Sequence, residues 1–188
     1  MSPALLLTAA LLAGNATTDA ATLLERGPIV SIEQSPDGKF KQCTALARVD
    51  APIERVWQVA IDYKDYHAFM PKVVASDVIH EEPNVVDVKF EIDVPGVNTK
   101  YVMRHTLHPD THTVEMNWVK GDLKGSHWLL HLESTPDGKT LMSYSGASKN
   151  FSSILESLED SQQTISVGVN VSSALTVVKA LKQQAEAK

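Results

Sequence analysis

At 188 residues, with 43% apolar and 21% charged side chains, the chain has room for one domain with a substantial hydrophobic core and lacks the bias of a disordered chain. A formal charge of −6, with no dense Lys/Arg block, argues against a general binder of nucleic-acid backbone, so no nucleic-acid partner is expected. The single cysteine, Cys43, excludes an internal disulfide and any cysteine-based metal cluster, and reads as a small buried residue of a strand.

The chain opens on Pro3 to Ala13, apolar apart from Thr8, with no charge before Asp19. That run is too short to span a bilayer, which takes about 20 apolar residues. It suits the central region of a secretory signal peptide. Gly14-Asn15-Ala16 and Thr18-Asp19-Ala20 both offer small residues at a cleavage site, although no Lys or Arg precedes the apolar run. The expectation is a leader over residues 1–20 and a folded domain over 21–188, exported to the periplasm or secreted; a retained leader would leave the chain cytoplasmic.

Ala21 to Arg26 reads as a short helix ended by Gly27-Pro28, Ile29 to Gln34 as a strand, Pro36-Asp37-Gly38 as a turn and Phe40 to Val49 as a second strand. Ile53, Val56, Trp57, Ala60 and Ile61 then follow the i, i+3, i+4, i+7, i+8 pattern of an amphipathic helix, with Asp50 as its expected cap and Pro52 near its first turn. Tyr63, Tyr66, Phe69 and Met70 form a bulky second helical turn that Pro71 ends.

Beyond Pro71 the period becomes two. Val86, Val88, Phe90, Ile92 and Val94 alternate with Asp87, Lys89, Glu91 and Asp93, giving one wet and one buried face. The same pattern puts Tyr101, Met103, His105 and Leu107 on one face, with Arg104 on the other; a β-bulge would reverse that parity and make an inward Arg104 a candidate partner for a ligand carboxylate or phosphate. The alternation continues through Val114, Met116 and Trp118, and through Trp128, Leu130 and Leu132. Thr140 to Ala147 is the last strand. Short links between consecutive strands predict an antiparallel meander. From about Asn150 the period is helical again, with Val167, Val171, Ala174, Val178 and Leu181 as the apolar stripe. Gly168, which costs about 1 kcal/mol against Ala in a helix, is expected to mark a close approach or a bend.

The fold class expected is α+β: a curved antiparallel sheet of six or seven strands, two short helices and a long C-terminal helix around a cavity. That order of elements resembles the helix-grip fold of the START-like superfamily, also called SRPBCC or Bet v 1-like. The local match is more specific. Val49-Asp50-Ala51-Pro52, Val56-Trp57, Asp62-Tyr63, Tyr66, Phe69-Met70-Pro71 and Val73 are similar to the opening signature of its polyketide cyclase/dehydrase and coenzyme Q-binding branch. Gly125-Ser126-His127-Trp128, Gly138-Lys139-Thr140 and Tyr144-Ser145 resemble that branch's late strands. The resemblance spans residues 29 to 185. It implies a cavity for a hydrophobic lipid, quinone or polyketide, with transient membrane-surface contact and no cofactor. It supplies no invariant catalytic set to transfer.

The expected cavity lining is Trp57, Phe69 and Met70 from the short helices, with Phe90, Tyr101, Met103, His105, Met116, Trp118, Trp128 and Tyr144 from the strands. Three functions fit it. A carrier needs only apolar surface and a few placed polar groups. An aromatase/cyclase-type enzyme would use Tyr101, His105 and Tyr144 as acid–base groups at an enolisable ketone. An interaction module would have its cavity filled. The seven histidines match no zinc-ligand spacing, so no metal is expected, and neither a phosphate-binding loop nor a Gly-x-Ser-x-Gly elbow occurs.

Overall fold

A computed structural model describes residues 16–93, 98–149 and 162–187. Helix α1 (Ala16–Arg26) leads into strands β1 (Ile29–Gln34) and β2 (Phe40–Val49). Helix α2 (Ile53–Ile61), a 3-10 turn (Tyr63–Asp65) and the single-turn helix α3 (Tyr66–Phe69) follow. Six more strands complete the sheet: β3 (Val73–Glu82), β4 (Val85–Ile92), β5 (Thr99–His108), β6 (Thr113–Gly121), β7 (His127–Ser134) and β8 (Thr140–Ala147). Helix α4 (Gln162–Glu186) closes the chain. The expected leader residues 1–15, Val94, and the first part of the expected C-terminal helix lie outside the described residues.

All eight strands form one antiparallel sheet in the order β1-β2-β8-β7-β6-β5-β4-β3. The chain therefore leaves β2 and re-enters at the far edge. Helices α2 and α3 make that passage, and α4 packs on β2, β8 and α2. This is the helix-grip architecture, with eight strands rather than six or seven. The strand not foreseen is β3. It is an edge strand with a mostly exposed face, and register shifts break its pairing with β4 near Val73/Ala75 and Val78/His80, so its sequence carries no sustained alternation.

Where one face stays wet, the strands obey the period-two reading. Val86, Val88, Phe90, Met103, His105, Val114, Trp128, Leu130 and Leu132 are all buried, while Lys89, Arg104 and Glu115 are exposed. Arg104 points outward, and its guanidinium donates to both carboxylate oxygens of Asp87 at 2.8 Å. The register shift in β5–β6 falls between Val102 and Met103 and leaves that parity intact. Strand β2 differs because both of its faces are covered. Cys43, Ala45, Ala47 and Val49 belong to the main core, and Thr44 and Leu46 are buried outside it. The small residues on the core side let α4 approach closely with Ala174, Val178, Leu181 and Ala185.

Polar contacts pin the helices at their ends. Asn170, fully buried in α4, accepts from the Ser148 backbone N–H at 2.6 Å and donates to Ser166 O at 2.8 Å and Ser148 O at 3.3 Å. Lys182 donates to Arg48 O at 2.8 Å. Thr140 Oγ1 donates to Ala51 O at 2.8 Å, fixing the entry to α2.

Two local expectations need correction. Asp50 does not cap α2: Pro52 occupies the N-cap, and no side chain caps the helix. Asp50 instead pairs with Lys139 at 2.8 Å, while its backbone N–H donates to Glu186 at 2.6 Å. Gly168 makes no close approach either, since a methyl group there would meet nothing within 4 Å.

Candidate ligand site

The inward face of the sheet and the underside of the short helices meet in a layer of aromatic rings. Tyr63, Tyr66 and Phe69 follow one another at three-residue spacing, which puts them on one side of a tight helical turn. The ring centroids of Phe69 and Tyr66 lie 5.3 Å apart, Tyr66 and Tyr63 5.5 Å, and Tyr66 and Phe90 6.2 Å. Phe90 continues to Tyr101 at 5.6 Å and to His105 at 6.0 Å, and His105 lies 4.3 Å from Tyr63. A second pair, Trp128 and Tyr144, stacks at 4.6 Å with ring planes 7° apart. Met103 and Met142 are buried in the same core. Methionine fills irregular gaps between rigid rings.

The four tyrosines of the sequence all take part. Burial pushes each phenol well above its usual range, and the hydroxyls sense one another: Tyr63 feels Tyr66 and Tyr144, and Tyr144 feels Tyr101 and Tyr66. The cluster is therefore a set of neutral O–H groups in an apolar layer. Tyr66 donates to Ala60 O at 2.6 Å, tying α3 to α2. The Tyr63 hydroxyl is buried with no hydrogen-bond partner.

His105 is 3% exposed, and burial pushes it down to about 4, against smaller upward effects from the Val86 and Met103 backbone and the Asp87 charge. Its Nδ1 lies 3.3 Å from Val86 O. A carbonyl can only accept, so the neutral ring carries its proton on Nδ1. Neither this imidazole nor the phenols is tuned near neutral pH, where a general acid or base works best. What the cluster offers is uncharged hydrogen bonding. Cys43, also in the core, is raised to about 11 by burial and is a poor nucleophile.

The structure thus brings Phe69, Phe90, Tyr101, Met103 and His105 together, with Trp128 and Tyr144 stacked as a separate pair in the same core. Met70 is 6% exposed and part of the core. Trp57 is half-buried and packs edge-on against His112 at 5.5 Å. Met116 and Trp118 are half-buried on the inward side, but the Trp118 indole N–H is spent on Gly121 O and Asp122 O at 3.2 and 2.9 Å. Tyr63 and Tyr66 were absent from the expected lining. Their spacing was the available signal, but the same spacing describes an ordinary helix contact.

Two depressions stand out among the described residues, and both open to solvent. One, of about 410 Å³, is lined by Lys64, His67 and Val74 to Val78. The other, of about 280 Å³, lies where Arg55, Gln58 and Val59 of α2 and Phe69 of α3 face Gln184 of α4. None of the strand residues that carry the aromatic layer lines either of these two depressions. Among the described residues no three His, Cys, Asp or Glu side chains gather as a metal site.

Comparison with known proteins agrees with this architecture. The profile of a family described as "Polyketide cyclase / dehydrase and lipid transport" matches residues 49–175. No curated protein sequence matches significantly. Among solved structures, the chain is similar to the Zhui aromatase/cyclase of Streptomyces sp. R1128, at 15% identity and a TM-score of 0.63, over 78% of this chain and 93% of that one. It is also similar to a STAR-related lipid transfer protein of Xanthomonas axonopodis, at 15% identity and a TM-score of 0.59, over 84% and 99%. Human STARD10 gives 12% identity and a TM-score of 0.62, over 85% of this chain and 69% of that one. Identities this low speak to fold alone.

Proposed function

This chain belongs to the polyketide cyclase / dehydrase and lipid transport family, and on that premise we propose that it binds and carries a hydrophobic small molecule between its sheet and its helices. The observation that carries the reading is the makeup of the interior: an aromatic and methionine layer holding a few neutral hydroxyls and one neutral imidazole, the pattern of an apolar site with sparse polar groups. A lipid, quinone or polyketide-like molecule would gain about 25 cal/mol for each Å² of apolar surface buried, before the costs of ordering. Loading takes place where the α2–α3 cap meets α4, along the seam lined by Phe69 and Gln184. The leader expected over residues 1–20 supports a location in the cell envelope. N-terminal sequencing of exported material tests that separately, and an intact Met1 there would count against it.

The test of carriage is organic extraction of purified protein followed by mass spectrometry, with thermal unfolding across a lipid, quinone and polyketide panel. A co-purifying hydrophobic molecule that raises the midpoint supports the reading. No extract and no shift would instead favour an interaction module. Cyclase activity is the weaker alternative, because His105 is held far from neutral pH and the phenols stay protonated. It predicts that Tyr101→Phe or His105→Ala abolishes turnover of a poly-β-ketone mimic and spares binding.

A further inference from the structure

Within the interior just described, Tyr63 is an anomaly. It is 3% exposed, sits in the 3-10 turn between α2 and α3, and lies against His105 and Tyr66. Its hydroxyl is the one buried side-chain polar atom without a hydrogen-bond partner among the described residues. Other interior polar groups are satisfied: Tyr66 by Ala60 O, Thr140 by Ala51 O, and Asn170 by Ser148 and Ser166. A native core rarely leaves a donor unpaired, and when it does the group calls for an explanation.

The surrounding charges narrow the explanation. No Lys or Arg is buried among the described residues, and the core cluster contains no charged side chain. The charges that reach the ring cluster are carboxylates, Asp62 acting on Tyr66 and Asp87 acting on His105. An anionic head would meet no counter-charge there. A phenol O–H with no acceptor calls for an acceptor, and a ketone or quinone oxygen supplies one without bringing charge.

We propose that Tyr63 is the polar anchor of the interior and that the ligand is an uncharged amphiphile whose carbonyl oxygen accepts from its hydroxyl. This rests on the carrier reading above and adds to it a selectivity: neutral carbonyl compounds are favoured over fatty acids and over ligands with quaternary ammonium heads. Tyr63 acts as a binding residue, and the flanking rings supply the apolar walls.

The experiment titrates purified full-length protein, by intrinsic tryptophan fluorescence, with four probes of matched chain length. They are methyl dodecyl ketone, tetradecane, tetradecanoate and tetradecyltrimethylammonium. The ketone is expected to bind about tenfold more tightly than the alkane, the equivalent of one net hydrogen bond, and the carboxylate more weakly than either. Tyr63→Phe is expected to erase the ketone's advantage, leave alkane affinity unchanged and keep or raise the unliganded melting temperature. If no probe binds, the carrier reading fails and the anchor with it. Alkane binding without a ketone preference, or a preference that survives Tyr63→Phe, overturns the anchor alone, as does tighter binding of the ammonium probe, which the aromatic walls could attract. Should Tyr63→Phe fail to fold, infrared spectra of isotope-labelled ketone on the wild-type protein decide. A band shifted down by hydrogen bonding supports the proposal, and a band at its hydrocarbon-solvent position overturns it.

Discussion

Acidification from pH 7 to pH 5 should destabilise the protein through His105. In the folded state this imidazole is held at about 4, against 6.5 when solvated, with burial as the leading cause. The fold therefore favours the neutral ring. The associated stability is fully present above pH 6.5 and is lost as pH falls toward 4, because the unfolded chain takes up the proton first. The full shift corresponds to about 3 kcal/mol, and about 2 kcal/mol of it is spent between pH 7 and pH 5. Tyr63 and Phe90 face the ring, and Asp87 is the nearby charge that partly offsets burial. The lowered carboxyls of Glu33, Asp50, Asp87 and Glu91 act mainly below pH 5 and stay out of this window. His127 is lowered too, by its own partial burial, and contributes in the same direction. Equilibrium urea denaturation at both pH values, on wild type and His105→Asn, separates the two. Asn keeps a donor for Val86 O and removes the titration, so its pH dependence should be flatter by about 2 kcal/mol. Parallel pH dependence in the two proteins would refute the reasoning, as would a wild type equally stable at both.

Four further outcomes follow from the packing. Gly146→Ala should cost about 3 kcal/mol, because its φ is +152° and a methyl would lie 2.2 Å from His127 O and 2.7 Å from Trp128 Cα; denaturation would measure the loss, and a changed tryptophan spectrum would report displacement of the Trp128–Tyr144 stack. Gly168→Ala, open on all sides, should stabilise by about 1 kcal/mol in the same assay, and a loss of stability would mean that the glycine is needed for a bend. Asn170→Ala should cost about 2 kcal/mol by leaving the Ser148 backbone N–H without its partner. Met70→Ala should cost about 2–5 kcal/mol as a core truncation, whereas half-buried Phe69→Ala should lose less stability and change ligand exchange rates more in stopped-flow fluorescence.

The strands β4 to β7 were legible in sequence because their outward faces are polar or partly wet, which sets the alternation of buried Val86, Val88 and Phe90 with Lys89, Glu91 and Asp87, the last buried under its pair with Arg104. The stripe Ala174, Val178 and Leu181 was legible for the same reason at the helical period. Strand β3 was not, because an edge strand with irregular pairing places Val74 and Ile79 in solvent and needs no alternation.

What the sequence by itself determined is the order of elements apart from β3, the alternation along the meander strands and the family signature from Val49 to Val73; which face of each strand turns inward was left to the fold. These depend on periods and spacings that lie along the chain. Only the tertiary structure decided which polar groups are left wanting. Tyr63, Tyr66, Tyr101 and Tyr144 look alike as letters. Ala60 O satisfies one of their hydroxyls, and the Tyr63 hydroxyl is left buried without a partner. Desolvation and hydrogen-bond pairing depend on groups brought together from α2, β4, β5 and β8, and no local pattern records that meeting.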